Sequence, residues 1–275
     1  MSKAIYYFAL LAALTYVTLQ VSPKTATSET ALLPPAQPAG DQLTTGSYAK
    51  VRRATIQSQP LADYTYTPSE HVKDIAVKNK HQANTWYHYA PDGTSPAPLV
   101  ILFHGSGRDG LSVLDMWKDV AAKEDLILLA PNARGRSWET SDFTLSTLNK
   151  MLEITDLHRP VDRDRIYLFG HSNGGGFVTL LVNRFDGPWK AGVTHGGFAS
   201  SEHISAQKEA KPFRIYLGEK DHIFGVDAAE QTARAMARAG HSVTLQLIPN
   251  HTHWLYKIGP RIARDSWAWF RTLTP

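Results

Sequence analysis

The sequence has no cysteine among its 275 residues. This excludes disulfides, thiolate zinc sites, a cysteine nucleophile and an acylated lipoprotein-type cysteine. No Gly-Lys-Ser/Thr run is present, and the glycine spacing does not fit a dinucleotide fingerprint, so neither kind of phosphate cradle is expected. Internal repeats are absent as well. Charge of one sign is also scarce: Lys and Arg exceed Asp and Glu by only four. Three of those four net charges fall in residues 1–60, where Lys3, Lys24, Lys50, Arg52 and Arg53 face only Glu29 and Asp41. The remaining chain is nearly neutral, which argues against a nucleic-acid-binding face. Hydrophobic residues make up 43% of the chain and charged residues 20%, an ordinary globular balance.

Acid is missing from the start of the chain until Glu29. Lys3 precedes a mostly apolar run, Ala4–Val21, whose second half is weakened by Thr15, Thr18 and Gln20. A basic start, an apolar stretch and no early acid is the pattern of an export segment. Residues 1–28 are therefore read as a signal peptide or an N-terminal membrane anchor. Ala26-Thr27-Ser28 offers small residues for cleavage. If the segment stays uncleaved, it is the one membrane contact expected. Residues 29–60, with Pro34-Pro35-Ala36-Gln37-Pro38, read as a tether rich in Pro, Ser and Thr. Residues 61–275 are expected to form one folded domain outside the cytoplasm.

In that domain, short apolar runs alternate with segments of helical spacing. Buried strands are expected at 99–103, 126–130, 165–169, 191–194 and 213–217, with a further alternating strand at 242–248. Helices are expected at 111–123, 143–157, 173–185, 227–239 and 260–270. This order predicts an α/β fold, a mostly parallel central sheet with helices on both faces. Functional groups then gather at the carboxyl ends of the strands.

Three strand ends carry chemistry. After strand 165–169 comes Gly170-His171-Ser172-Asn173-Gly174, a G-x-S-x-G turn running into a helix. Such a turn projects the serine hydroxyl, and its glycines avoid Cβ collisions. Ser172 is the candidate nucleophile. After strand 213–217 comes Gly218-Glu219-Lys220-Asp221, where Asp221 is the candidate acid and Glu219 its nearest substitute. After the last strand comes His251-Thr252-His253-Trp254. His253 is favoured as base, with His251 in reserve. Oxyanion donors are assigned to the N–H groups of Asn173 and Ser106, with Gly105 or Gly107 as substitutes for the latter. His104 reads as a buried histidine that shapes its loop. Trp138, Trp254 and His171 are candidates to line the substrate site. Arg134 and Arg136 read as solvated loop residues. The His251/His253 pair has no acidic cluster beside it, so no metal and no cofactor are expected.

These motifs resemble the α/β-hydrolase superfamily. The resemblance is to its small serine esterase branch, which includes proteins like polyhydroxybutyrate depolymerase and feruloyl esterase and lies near the dienelactone hydrolases. It is carried by residues 99–107, 161–175, 218–221 and 251–254, and covers about residues 85–271. It implies a serine hydrolase that cleaves carboxylic esters, small or polymeric, through an acyl-enzyme. The disulfides and the added binding module that accompany some polymer-cleaving members are not seen. Alternatives are a peptidase of the prolyl-oligopeptidase type and an inactive binding module on the same fold. Only residues 195–212 separate two strands between which larger lids are commonly inserted, so no large lid is expected.

Overall fold

The computed structural model describes residues 46–56, 58 and 64–273. Residues 1–28, read above as an export segment, and most of the segment read as a tether lie outside the described residues. Nine strands form one sheet: β1 (Ser47–Arg52), β2 (Val77–His81), β3 (Asn84–Tyr89), β4 (Ala97–Phe103), β5 (Ile127–Pro131), β6 (Val161–His171), β7 (Ala191–His195), β8 (Phe213–Gly218) and β9 (Ser242–Ile248). Their spatial order is β1-β9-β8-β7-β6-β4-β5-β3-β2. All neighbours run parallel except β3 with β5 and β2 with β3.

The apolar runs become the central strands because both sheet faces are covered. Every residue of β4, β5 and β7 is buried. On one face Val100, Leu102, Leu128, Ala130, Tyr167 and Phe169 join a core with Trp117 of helix Gly110–Glu124 and Ile262 and Phe270 of helix Gly259–Phe270. On the other, Phe103 meets Phe177 of helix Asn173–Arg184 edge to face at 5.5 Å. Among the described residues no helix is long and apolar enough to cross a membrane.

Register positions the site. Phe103 pairs with Gly170, His171 with His195, His195 with Tyr216, and Gly218 with Ile248. Five parallel strands thus end level, and the loops holding His104, Ser172, Gly196, Asp221 and His253 leave from one edge.

Two parts of the sheet differ from the sequence reading. The segment read as tether contains β1, a ninth strand parallel to β9. Its side chains are almost all exposed, so it carries no alternation to detect. A backbone ladder to β9 over all six residues holds it, with ion pairs at its flank: Lys50 pairs with Glu230, Arg53 with Asp265, and Arg52 grips Glu219 with two hydrogen bonds of 2.5 and 3.0 Å. The hairpin of β2 and β3 was also invisible. Its turn, Gln82-Ala83, has none of the usual turn residues, although Gln82 takes a positive φ of 53°.

Candidate active site

Ser172 sits between β6 and helix Asn173–Arg184 with φ 55° and ψ −122°. A non-glycine residue held there stores strain of about 1–3 kcal/mol. Its neighbours show why glycine flanks it. A Cβ on Gly170 would lie 2.2 Å from the Gly174 carbonyl oxygen, and one on Gly174 would lie 2.3 Å from that of Phe103. Gly197 belongs to the same packing, since its Cβ would fall 1.9 Å from the Ser172 carbonyl oxygen. The Ser172 N–H donates to the His195 carbonyl at 3.0 Å, so the turn is tied to the end of β7.

Gly174→Ala must push two backbones apart. It is expected to destabilise by about 3 kcal/mol or more, a fall in Tm of roughly 6–12 °C for a domain of this size. Gly176→Ala is the contrast. Its nearest obstacle is 3.5 Å away, so it should match or exceed the parent Tm in a thermal melt.

The three sequence candidates converge. His253 Nε2 lies 2.9 Å from Ser172 Oγ, and His253 Nδ1 lies 3.0 Å from Asp221 Oδ2. The second oxygen of Asp221, Oδ1, accepts the backbone N–H groups of Ile223 at 2.9 Å and Phe224 at 3.0 Å. Burial is the largest single influence on Asp221 and pushes its carboxyl upward. The hydrogen bond and charge of His253, with the two backbone donors, outweigh it and hold the group below its ordinary range. Gly196, at φ 56°, packs against this pair; a Cβ there would sit 3.1 Å from His253 Nδ1 and 3.2 Å from Asp221 Oδ2. Phe224 stacks on the His253 ring at 5.7 Å.

The substitutes are occupied elsewhere. Glu219 is drawn to Arg52 at the sheet edge. His251 is buried, with Nε2 2.8 Å from His195 Nε2 and Nδ1 2.9 Å from Ser58 Oγ. Burial pushes it down to about 4.

The loop after β4 closes over Ser172. A Cβ on Gly105 would lie 3.2 Å from Ser172 Cβ. The loop is pinned by Gly107 N–H on the Arg136 carbonyl at 2.7 Å and by Ser106 Oγ against Ser137 Oγ at 2.7 Å. His104 shapes it as expected. Its Nδ1 donates to the Gly105 carbonyl at 2.8 Å and its Nε2 accepts Ala133 N–H at 3.1 Å, and burial keeps it neutral. Among the described residues, the N–H groups of Ser106 and of Asn173, the first residue of its helix, have no protein partner. Both remain available to an external acceptor.

Three expectations about the site's walls come out differently from one another. Trp138 is 7% exposed. Its indole donates to the His104 carbonyl at 2.8 Å, its ring stacks on Phe177, and its backbone N–H fixes the Asn173 side chain at 2.6 Å. It therefore braces the loop after β4. His171 is also buried, at 4% exposure, because its Nδ1 is drawn to the His195 carbonyl at 3.1 Å. Trp254 stays partly exposed, in edge contact with Tyr64 and Tyr256 and beneath the Arg108 guanidinium. Of the two loop arginines, Arg134 is paired with Asp142 at 2.8 Å and Arg136 is exposed. Sequence reasoning missed His195, Gly196 and Gly197. A fourth glycine-containing strand end, Gly196-Gly197 after the strand at 191–194, was the available signal.

A nine-stranded sheet of this order, with a serine turn, an acid and a histidine at its carboxyl edge, defines an α/β-hydrolase-fold protein. More narrowly, the chain belongs to the dienelactone hydrolase family, whose sequence pattern matches residues 129–269 and so includes Ser172, Asp221 and His253. It is 27% identical over 145 residues to Esterase EstD of Thermotoga maritima, covering 48% of this chain and 34% of that one. The chain thus spans about a third of the length of that curated relative. Among solved structures, a ferulic acid esterase matches with a TM-score of 0.60 at 15% identity, over 73% of this chain and 98% of the other. The Bacillus cereus carboxylesterase matches with 0.53 at 20% identity, over 69% and 95%.

Proposed function

We propose that this protein is an exported serine hydrolase that cleaves small carboxylic esters. The observation that carries the reading is the continuous contact from Ser172 through His253 to Asp221, on the strand edge where the unpartnered N–H groups of Ser106 and Asn173 also lie. In this reading Ser172 Oγ attacks the ester carbonyl while His253 Nε2 takes its proton. The carbonyl oxygen becomes an oxyanion and accepts the Ser106 and Asn173 N–H groups. His253 then gives the proton to the departing alkoxide, leaving an acyl group on Ser172. Water, deprotonated by His253, attacks that acyl group; the acid leaves and the serine regains its proton. Asp221 holds the imidazole in the tautomer with its proton on Nδ1 and stabilises the imidazolium.

Relatives named as esterases support the ester class. The short connection between β7 and β8, with one 3-10 turn at Ser201–His203, supports a site without a large lid. Export rests on Lys3, the apolar run after it and the lack of acid before Glu29.

Folded protein is expected to react with a fluorophosphonate probe at Ser172, located by mass spectrometry of the labelled peptide. It should hydrolyse short acyl p-nitrophenyl esters and leave peptide anilides intact. Preference for anilides would favour a peptidase, and absence of labelling would point to a binding module.

A further inference from the structure

Three histidines outside the Ser172, His253 and Asp221 set form a buried row beneath it. His171 precedes Ser172, His195 ends β7 immediately before Gly196, and His251 lies two residues before His253. All three are at most 4% exposed. His171 Nδ1 is 3.2 Å from His195 Nδ1, and His195 Nε2 is 2.8 Å from His251 Nε2. The row ends at Ser58 Oγ, 2.9 Å from His251 Nδ1.

The proton positions in this row follow from one fixed acceptor. The His195 carbonyl oxygen, 3.1 Å from His171 Nδ1, can only accept, so His171 carries its proton on Nδ1. Facing that N–H, His195 Nδ1 must accept. A neutral His195 then has its proton on Nε2 and donates it to His251 Nε2. His251 is left with its proton on Nδ1, directed at Ser58 Oγ. The single proton on His171 Nδ1 is shared between the carbonyl oxygen and Nδ1 of His195, each of the next two contacts has one donor and one acceptor, and no ring needs a charge. Burial, the main influence on each ring, agrees: it lowers His171 to about 3, His251 to about 4, and His195 well below its ordinary value.

We propose that this directional chain of neutral histidines sets the distance between the Ser172 turn and the His253 loop, with His195 as the central positioning residue. It joins the strand end before the nucleophile, the β7 turn whose Gly196 packs on the His253–Asp221 contact, and the loop that carries the base. An aliphatic core could fill the same space, but it could not fix spacing and direction, because dispersion contacts are not directional whereas hydrogen bonds are. The inference rests on the proposed serine chemistry for its kinetic consequence, though not for its proton pattern.

Two measurements test it. Histidine ring 15N spectra of the unsubstituted protein should show His171 and His251 protonated on Nδ1 and His195 on Nε2. Any other pattern at two of the three rings overturns the chain. In parallel, His251→Leu removes the acceptor facing His195, while His251→Gln keeps an amide oxygen there. H251L is expected to lower kcat about 10- to 100-fold with KM within about twofold, since a displaced base loses rate and not ground-state binding. H251Q should restore kcat to within about threefold of the parent. H251L turning over like the parent, or H251Q failing as badly as H251L in a folded state, overturns the positioning role. A parent protein unreactive toward both ester and fluorophosphonate would sink the serine chemistry instead. The ring spectra would still decide the chain, as they would if H251L did not fold.

Discussion

Ser172→Ala is expected to lower kcat on a p-nitrophenyl ester by roughly five to six orders of magnitude, on the scale of nucleophile deletions in serine hydrolases. The substitution removes one oxygen atom and with it the only route to an acyl-enzyme. The Ser106 and Asn173 N–H groups and the binding surfaces stay in place, so a small rate above water should persist. KM should change little. The fold should also survive, because alanine occupies the same backbone conformation at φ 55°. Ser172→Gly offers an internal control. Glycine tolerates that backbone without a Cβ, so the glycine variant should be more stable than the alanine variant by about 1 kcal/mol, although equally inactive. Denaturant melts of the two variants check the stability order, and steady-state kinetics check the rate. Near-normal turnover by S172A would remove Ser172 from the mechanism.

Asp221→Asn should lower kcat by about 10⁴-fold with little loss of stability. The reason lies in what the aspartate already holds. Its Oδ1 accepts two backbone N–H groups, from Ile223 and Phe224. In asparagine the carbonyl oxygen must keep that place, because the amide NH₂ cannot accept. The NH₂ group is therefore turned toward His253 Nδ1. Two donors cannot face each other, so Nδ1 must become an acceptor and the imidazole proton moves to Nε2. Nε2 then presents a proton to Ser172 Oγ where it should receive one. The contacts persist while the direction of proton transfer is reversed. Histidine ring 15N spectra of D221N should show this tautomer directly, and its kcat should fall without a matching rise in KM. A D221N enzyme within tenfold of the parent would show that the aspartate does not set the tautomer.

Much of this molecule can be read from its residues in order. Apolar runs between helical segments foretold the parallel strands β4 to β8, whose central residues are buried on both faces so that burial writes itself as continuous hydrophobicity, and the alternation of 242–248 foretold β9. Ser172 was legible because a strained turn demands glycine on both sides, and Asp221 and His253 because they follow later strand ends in the order serine, acid, base. The exposed edge strand β1 and the hairpin turn at Gln82 were not legible. One pairs through its backbone with a strand far away in the chain, and the other adopts a positive φ without a glycine or asparagine to announce it.

Distance decided the remainder. The motif His251-Thr252-His253 contains two bases of equal chemistry, and nothing in their order separates them. Strand register brings His253 to Ser172 and turns His251 back toward His195, so contacts across four strands separate the two rings. The same holds for the neutral histidine row and for Trp138, which the local sequence could equally have placed in a wall. The sequence by itself determined the fold class, the strand ends that carry the candidate residues and the residue types found there. The tertiary structure decided which of those side chains meet. A hydrogen bond depends on a few tenths of an ångström and on which atom holds the proton, and both are set by neighbours remote in the chain.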